Sequence, residues 1–361
     1  MKTSWRTGLI FSLAAVVIFP LLLEYGARGG YDLHQRFTGR LRANYTQKDP
    51  YTRYRFRPDV HSGQVGETRF DTNAHGFRGE HFPWERQEGV TRVVLTGDSV
   101  TFGWSASDDS TTYPAFLQGA LERRWPGRPV EVINAGIPGY HAGDVHGLVV
   151  SRLVFTLPKA VVILVGANDV LDSIATPPSL KPKRSQKLLA KSRFFSFLKA
   201  GRNALIPESS KVRAMSEVIR LREEGVNNIS LSALIQYELT LRSIVRVLKG
   251  QKIEPVLLTY PLFLKQEMSE AEKERMIAYL VRYPNLSYAG WIRINRELRE
   301  RTERVAKEEG ALLLPGHTVQ DLRYFSDLYH LNDEGNKVLA EFVADGLSAR
   351  WPDGQIGPSD E

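Results

Sequence analysis

The chain has 361 residues, 42% of them hydrophobic and 25% charged, with 48 Lys or Arg against 41 Asp or Glu, a formal net charge of +7. These fractions are ordinary for a globular chain and exclude a disordered, collagen-like or polytopic membrane protein. The lack of cysteine also excludes a disulfide framework, a thiolate nucleophile and Cys-ligated zinc or iron–sulfur centres.

In chain order, the first feature is the apolar run G-L-I-F-S-L-A-A-V-V-I-F-P-L-L-L over residues 8–23, preceded by Lys2 and Arg6 and closed by Glu24 and Arg28. A basic leader before an unbroken apolar run predicts a membrane helix within 1–28, an anchor or a signal segment. Its 16 residues fall just under the usual span of about 17–25, and Tyr25, Gly26 and Ala27 can extend it through the interface. No A-x-A-like cleavage site follows. That favours a retained single-pass anchor, with the large domain outside, periplasmic or otherwise extracytoplasmic. Residues 29–90 are rich in aromatic, Arg and Gly positions, T-N-A-H-G-F-R-G over 72–79 among them, and show no sustained period. They predict an irregular extension with one or two short strands, packed on the domain that follows.

From residue 91 the pattern becomes regular. Apolar runs of strand length recur at 92–97, 130–134, 160–165, 255–260 and 311–314, and segments with helical spacing lie at 113–125, 141–153, 231–248, 291–309 and 333–350. Continuous apolar strands alternating with amphipathic helices predict a parallel sheet covered on both faces. In such a sheet, sites form at the carboxyl ends of the strands. Residues 351–361 read as a flexible tail.

The strand ends carry four fragments. After the first strand comes G-D-S-V-T-F-G over 97–103, with Ser99 on the strand-to-helix turn. A serine there is often a helix N-cap, and a nucleophile needs a base, an orienting acid and oxyanion donors. N-A-G-I-P-G-Y follows the second strand, where Gly136 and Gly139 permit a tight turn with an exposed N–H. G-A-N-D follows the third, where Asn168 offers an amide donor, and D-L-Y-H-L-N-D-E-G follows the fifth. There the spacing of Asp327 and His330 lets a carboxylate meet one imidazole nitrogen while the other faces Ser99. Asp98 and Asp169 are read as bracing their loops, since neither is placed to orient His330.

The blocks G-D-S-V, N-A-G-I-P-G, G-A-N-D and D-L-Y-H, spread over residues 92–350, resemble those of the SGNH hydrolases of the GDSL esterase/lipase superfamily. The resemblance implies a flavodoxin-like three-layer α/β/α sandwich with a five-stranded parallel sheet. It implies Ser99 as nucleophile, His330 as base and Asp327 as its orienting acid. The oxyanion hole would comprise the Ser99 and Gly139 backbone N–H groups and the Asn168 side chain. T-N-A-H-G-F-R-G also resembles a segment of membrane-anchored bacterial members. The expected activity is hydrolysis of carboxylic esters, such as O-acyl groups on a carbohydrate or lipid, through an acyl-enzyme. The same residues would serve an O-acyltransferase, and a non-catalytic binding module on the same fold is the third reading. No cofactor, metal or nucleic-acid partner is expected: the eight histidines show no metal-ligand spacing, and neither a phosphate loop nor a nucleic-acid signature is present.

One basic segment departs from the family pattern. Residues 172–232 hold twelve Lys or Arg against five Asp or Glu, which is the entire net charge of the chain. Within 181–202, Leu188, Phe195 and Leu198 share a helical face with Lys and Arg mostly elsewhere, a pattern that suits either a membrane interface or a helix covering the domain's own core. As a domain plan, the sequence therefore reads 1–28 membrane segment, 29–90 extension, 91–350 hydrolase domain with a basic insertion at 172–232, and tail.

Overall fold

The five apolar runs form one parallel sheet: β1 (Thr91–Gly97), β2 (Val130–Gly136), β3 (Ala160–Leu164), β4 (Glu254–Leu258) and β5 (Leu312–Leu314), in the spatial order β2-β1-β3-β4-β5. The computed structural model describes residues 45–65, 68–171, 230–263, 269, 272, 288–327 and 329–357. The predicted membrane segment over 1–28 and nearly all of the basic segment over 172–232, 181–202 included, lie outside them. Among the described residues no helix is long and apolar enough to cross a membrane.

Every residue of β1 and β3 is buried, which explains why these strands read as unbroken apolar runs: both faces are covered. The helices in chain order are α1 (Ser99–Phe102), α2 (Tyr113–Arg124), α3 (Ala142–Ser151), α4 (Ala167–Leu171), α5 (Leu231–Gly250), α6 (Tyr288–Glu309) and α7 (Asp333–Arg350). α2 packs against α7, while α5 packs against α3 and α6. The chain first steps from β1 to β2 at one edge and then across β1 to β3, β4 and β5. With right-handed crossovers, that reversal places α2 and α7 on one face and α3, α5 and α6 on the other. The expected three-layer sandwich is thus present, and the strand order reverses beside β1. In open α/β sheets a site forms in the crevice at such a switch point, outside the carboxyl ends of the strands.

Among its described residues the extension contains four short strands where one or two were expected. They pair as two antiparallel ribbons, Thr46–Gln47 with Arg55–Phe56 and Gly63–Val65 with Thr68–Phe70. Strands of two or three residues are too short to show a period of two. Phe56 and Phe70 pack on Phe102 of α1, each with ring centroids 5.3 Å from it. Arg78, from the motif over 72–79, is buried beneath the same helix. Its Nη1 donates to the carbonyls of Phe102 and Gly103 at 2.9 Å each, its Nη2 to that of Arg69 at 2.9 Å, and its Nε pairs with Asp109 at 2.6 Å. Arg78→Ala strands these acceptors and the Asp109 charge, so unfolding in urea should show about 3 kcal/mol less stability, the low end for a broken buried pair because Asp109 is partly exposed.

The tail expectation is corrected for residues 351–357. Trp351 and Ile356 are buried, and Thr91 donates from its hydroxyl to the Gly354 carbonyl at 3.0 Å. An aromatic residue directly after α7 gives the chain apolar surface to bury, so it folds back against the start of β1 instead of leaving the domain. Residues 358–361 lie outside the described residues.

Candidate active site

At the carboxyl end of β1 the chain turns directly into α1. The N-cap of that helix is Asp98, whose Oδ1 accepts from the Val100 N–H at 3.0 Å. Ser99 is therefore the first helical residue, and the capping role open to it in the sequence is already filled. Its Oγ lies 2.7 Å from His330 Nε2. His330 Nδ1 lies 2.7 Å from Asp327 Oδ2, and Asp327 Oδ1 accepts from the backbone N–H groups of His330 at 2.9 Å and Tyr329 at 3.1 Å. Both Ser99 and His330 are buried. Burial alone would push the Asp327 carboxyl up, but the hydrogen bonds and charge of His330, with the two backbone donors, hold it below the usual carboxylate range.

The loop that carries Asp327 and His330 is closed by a bridge between Phe325 and Leu331 and by the Ser326 N–H donating to the His330 carbonyl at 2.8 Å. Asn332 then caps α7, its side chain accepting from the Gly335 N–H at 2.9 Å. On the aromatic side, the Tyr329 ring meets His330 edge-on with centroids 4.8 Å apart, Trp291 stacks on Tyr329, and half-buried Trp104 lies 5.9 Å from the His330 ring.

After β2, the two glycines have different roles. Gly136 is still a strand residue, paired with Gly97. A side chain there would meet the α1 backbone, 2.2 Å from Phe102 N, and its N–H is taken by Asn134 Oδ1 at 3.1 Å. The expectation of an exposed N–H at Gly136 is thus corrected; its service is close helix–strand packing. Gly139 has φ +80°, a backbone region that L side chains rarely adopt. The polar backbone groups of the turn can be accounted for one by one. The Ile137 N–H donates to the Gly97 carbonyl, the Tyr140 N–H to the Ile137 carbonyl, and the carbonyls of Pro138, Gly139 and Tyr140 accept from Tyr54, Arg53 and Asn168. Of the N–H groups of Ile137, Gly139 and Tyr140, that of Gly139 alone finds no acceptor among the described residues.

After β3, Asn168 donates from Nδ2 to the Tyr140 carbonyl at 3.0 Å. A primary amide has two N–H donors, so one serves to tie α4 to the Gly139 turn and the other is available. Asp169 accepts from the Ala142 N–H at the start of α3 at 3.0 and 3.1 Å. Burial pushes its carboxyl up to about 6 against the pull of that N–H and of His141. The sequence did not single out Tyr260, just beyond β4. Its hydroxyl donates to Asp98 Oδ2 at 2.5 Å and accepts from the Ala167 N–H at 3.2 Å, tying the Asp98–Ser99 turn to α4. Burial drives both Asp98 and Tyr260 upward in pKa. Only its place at a strand's carboxyl end could have drawn attention to Tyr260.

A hydroxyl bonded to an imidazole whose far nitrogen meets a carboxylate can lose its proton as it attacks a carbonyl. N–H groups nearby can hold the resulting oxyanion. Among the described residues no three His, Asp or Glu side chains cluster so as to hold a metal ion. The profile of the GDSL-like Lipase/Acylhydrolase family matches residues 95–338. The chain belongs to that family. It is a serine hydrolase of the GDSL type that acts on esters, and its extension lies before the span the family shares. Two similar solved structures are a lipase/acylhydrolase from Enterococcus faecalis, 17% identical over 72% of this chain and 96% of the other with a TM-score of 0.43, and an acetylxylan esterase from Geobacillus stearothermophilus, 18% identical over 71% and 94% with a TM-score of 0.42. No curated protein matches the GDSL-type chain.

Proposed function

We propose that the protein is a serine esterase that removes O-acyl groups from a carbohydrate or lipid, with Ser99 as nucleophile, His330 as base and Asp327 as orienting acid. The observation that carries this reading is the chain of 2.7 Å contacts from Ser99 Oγ through His330 to Asp327, placed at the switch point of the sheet. His330 Nε2 takes the Ser99 proton as Oγ attacks the ester carbonyl. The N–H groups of Ser99 and Gly139 and the Asn168 amide hold the tetrahedral oxyanion, and His330 returns its proton to the leaving alcohol. Water then attacks the acyl-enzyme by the same route. Half-buried Trp104 beside His330 supplies an aromatic surface on which a sugar or acyl chain can pack. The apolar run over 8–23 supports an anchored enzyme with its catalytic domain outside the membrane.

The test is covalent. A fluorophosphonate should form a single adduct, located on the Ser99 peptide by mass spectrometry, and acetylated glycans or lysophospholipids should protect against it. A folded protein that takes no label at Ser99 overturns the reading.

A further inference from the structure

The extension, which lies before the family's shared span, reaches the back of the Gly139 turn with two consecutive side chains. The Tyr54 hydroxyl donates to the Pro138 carbonyl at 2.5 Å, and the Arg53 guanidinium donates to the Gly139 carbonyl. Both are themselves held. Arg53 meets Asp144 of α3 through Nε at 2.9 Å and Nη2 at 2.7 Å, and the buried Tyr140 hydroxyl donates to the Tyr54 carbonyl. Burial works against the Asp144 charge, yet hydrogen bonds from His141 and Arg53 keep its carboxyl well below the usual range, so the clamp on Arg53 persists at any working pH.

The geometry of one peptide unit gives these contacts a consequence. The Pro138 carbonyl and the Gly139 N–H belong to the same planar trans peptide, so they point in opposite directions. Fixing the carbonyl on Tyr54 therefore fixes the N–H facing away from the extension, and this is the one N–H of the turn without an acceptor among the described residues. Glycine at φ +80° would otherwise leave that peptide free to rotate. A Cβ there would also crowd the Tyr54 hydroxyl, at 2.9 Å, and push it off its contact.

We propose that Tyr54 and Arg53 are positioning residues of the oxyanion hole, holding the two carbonyls from behind so that the Gly139 N–H is aimed at the developing oxyanion. The proposal rests on the esterase reading above. It makes the extension a working part of the active site, one that the shared family span does not include.

In Tyr54→Phe, the ring stays and only the hydroxyl is lost. Deleting an oxyanion donor costs on the order of 100- to 1,000-fold in turnover; a donor left in place but no longer aimed should cost about ten- to a hundredfold. The expected result is that fall in kcat for p-nitrophenyl acetate with KM within about twofold, and an equal loss of affinity for an alkyl boronic acid, which binds as a tetrahedral adduct of the serine. Arg53→Gln should repeat the pattern more weakly and stands in if Tyr54→Phe does not fold. Unchanged kcat and boronate affinity in a folded variant, beside a wild type whose turnover depends on Ser99, overturn the proposal alone. A fall in kcat with boronate affinity intact overturns it too, as loss of structure not specific to the hole. A wild type with no Ser99-dependent turnover overturns the esterase reading and this proposal together.

Discussion

Ser99→Ala is expected to lower kcat for a short-chain nitrophenyl ester by at least about 10⁴-fold and to abolish fluorophosphonate labelling, while the protein stays folded. Loss of the nucleophile in a serine hydrolase removes on the order of 10⁶ in turnover and leaves only what binding and the oxyanion donors supply. The structural cost should be small for two reasons. Asp98, not Ser99, caps α1, so no helix end is exposed. The Ser99 hydroxyl also bonds to His330, and losing one such bond typically costs about 1 kcal/mol. The thermal midpoint should therefore move little, which separates loss of chemistry from loss of fold. Initial rates and melting curves on the same preparation check both halves. Turnover within tenfold of wild type in the alanine variant would remove Ser99 from the mechanism.

Much of the catalytic domain was legible because its signals are local. A strand buried on both faces must be apolar throughout, and β1 and β3 stand out as such in the bare sequence. Their carboxyl ends follow directly, so Ser99 and Asn168 could be placed without knowing a single contact. Asp327 and His330 were legible because a spacing of three in a tight loop leaves few other partners for the carboxylate. The strand order, and with it the switch point beside β1, comes from the structure alone.

What stayed hidden is held by contacts distant in sequence. Tyr54 meets Pro138 across 84 positions, and Tyr260 meets Asp98 across 162. No periodicity encodes a side chain reaching a remote carbonyl. Arg78 lies inside the T-N-A-H-G-F-R-G motif, yet its service to the carbonyls of α1 cannot be inferred from composition, since an arginine in an irregular stretch is ordinarily solvated. The role expected of Gly136 failed for a related reason. A glycine after a strand suggests a turn, and only the packed helix shows that the missing side chain makes room for backbone.

Asp327→Asn should lower kcat by about 10⁴-fold, the cost of holding a catalytic imidazole in the wrong tautomer. The geometry fixes which tautomer the variant adopts. Oδ1 of Asp327 accepts from two backbone N–H groups, those of His330 and Tyr329, so the asparagine oxygen must take that position. Its NH₂ group is then left facing His330 Nδ1. An amide that donates to Nδ1 drives the imidazole proton onto Nε2, where it points at the Ser99 hydroxyl and cannot accept from it. Stability should respond with a defined sign. The Asp327 carboxyl titrates lower in the folded chain than in the unfolded one, so its ionised form stabilises the fold above the ordinary carboxylate range, and that contribution is lost as the pH falls through the folded value. Asparagine has no such titration. Urea unfolding of the two proteins should therefore differ most near neutrality and converge on acidification, and a variant that keeps wild-type kcat would show that His330 is oriented by something other than Asp327.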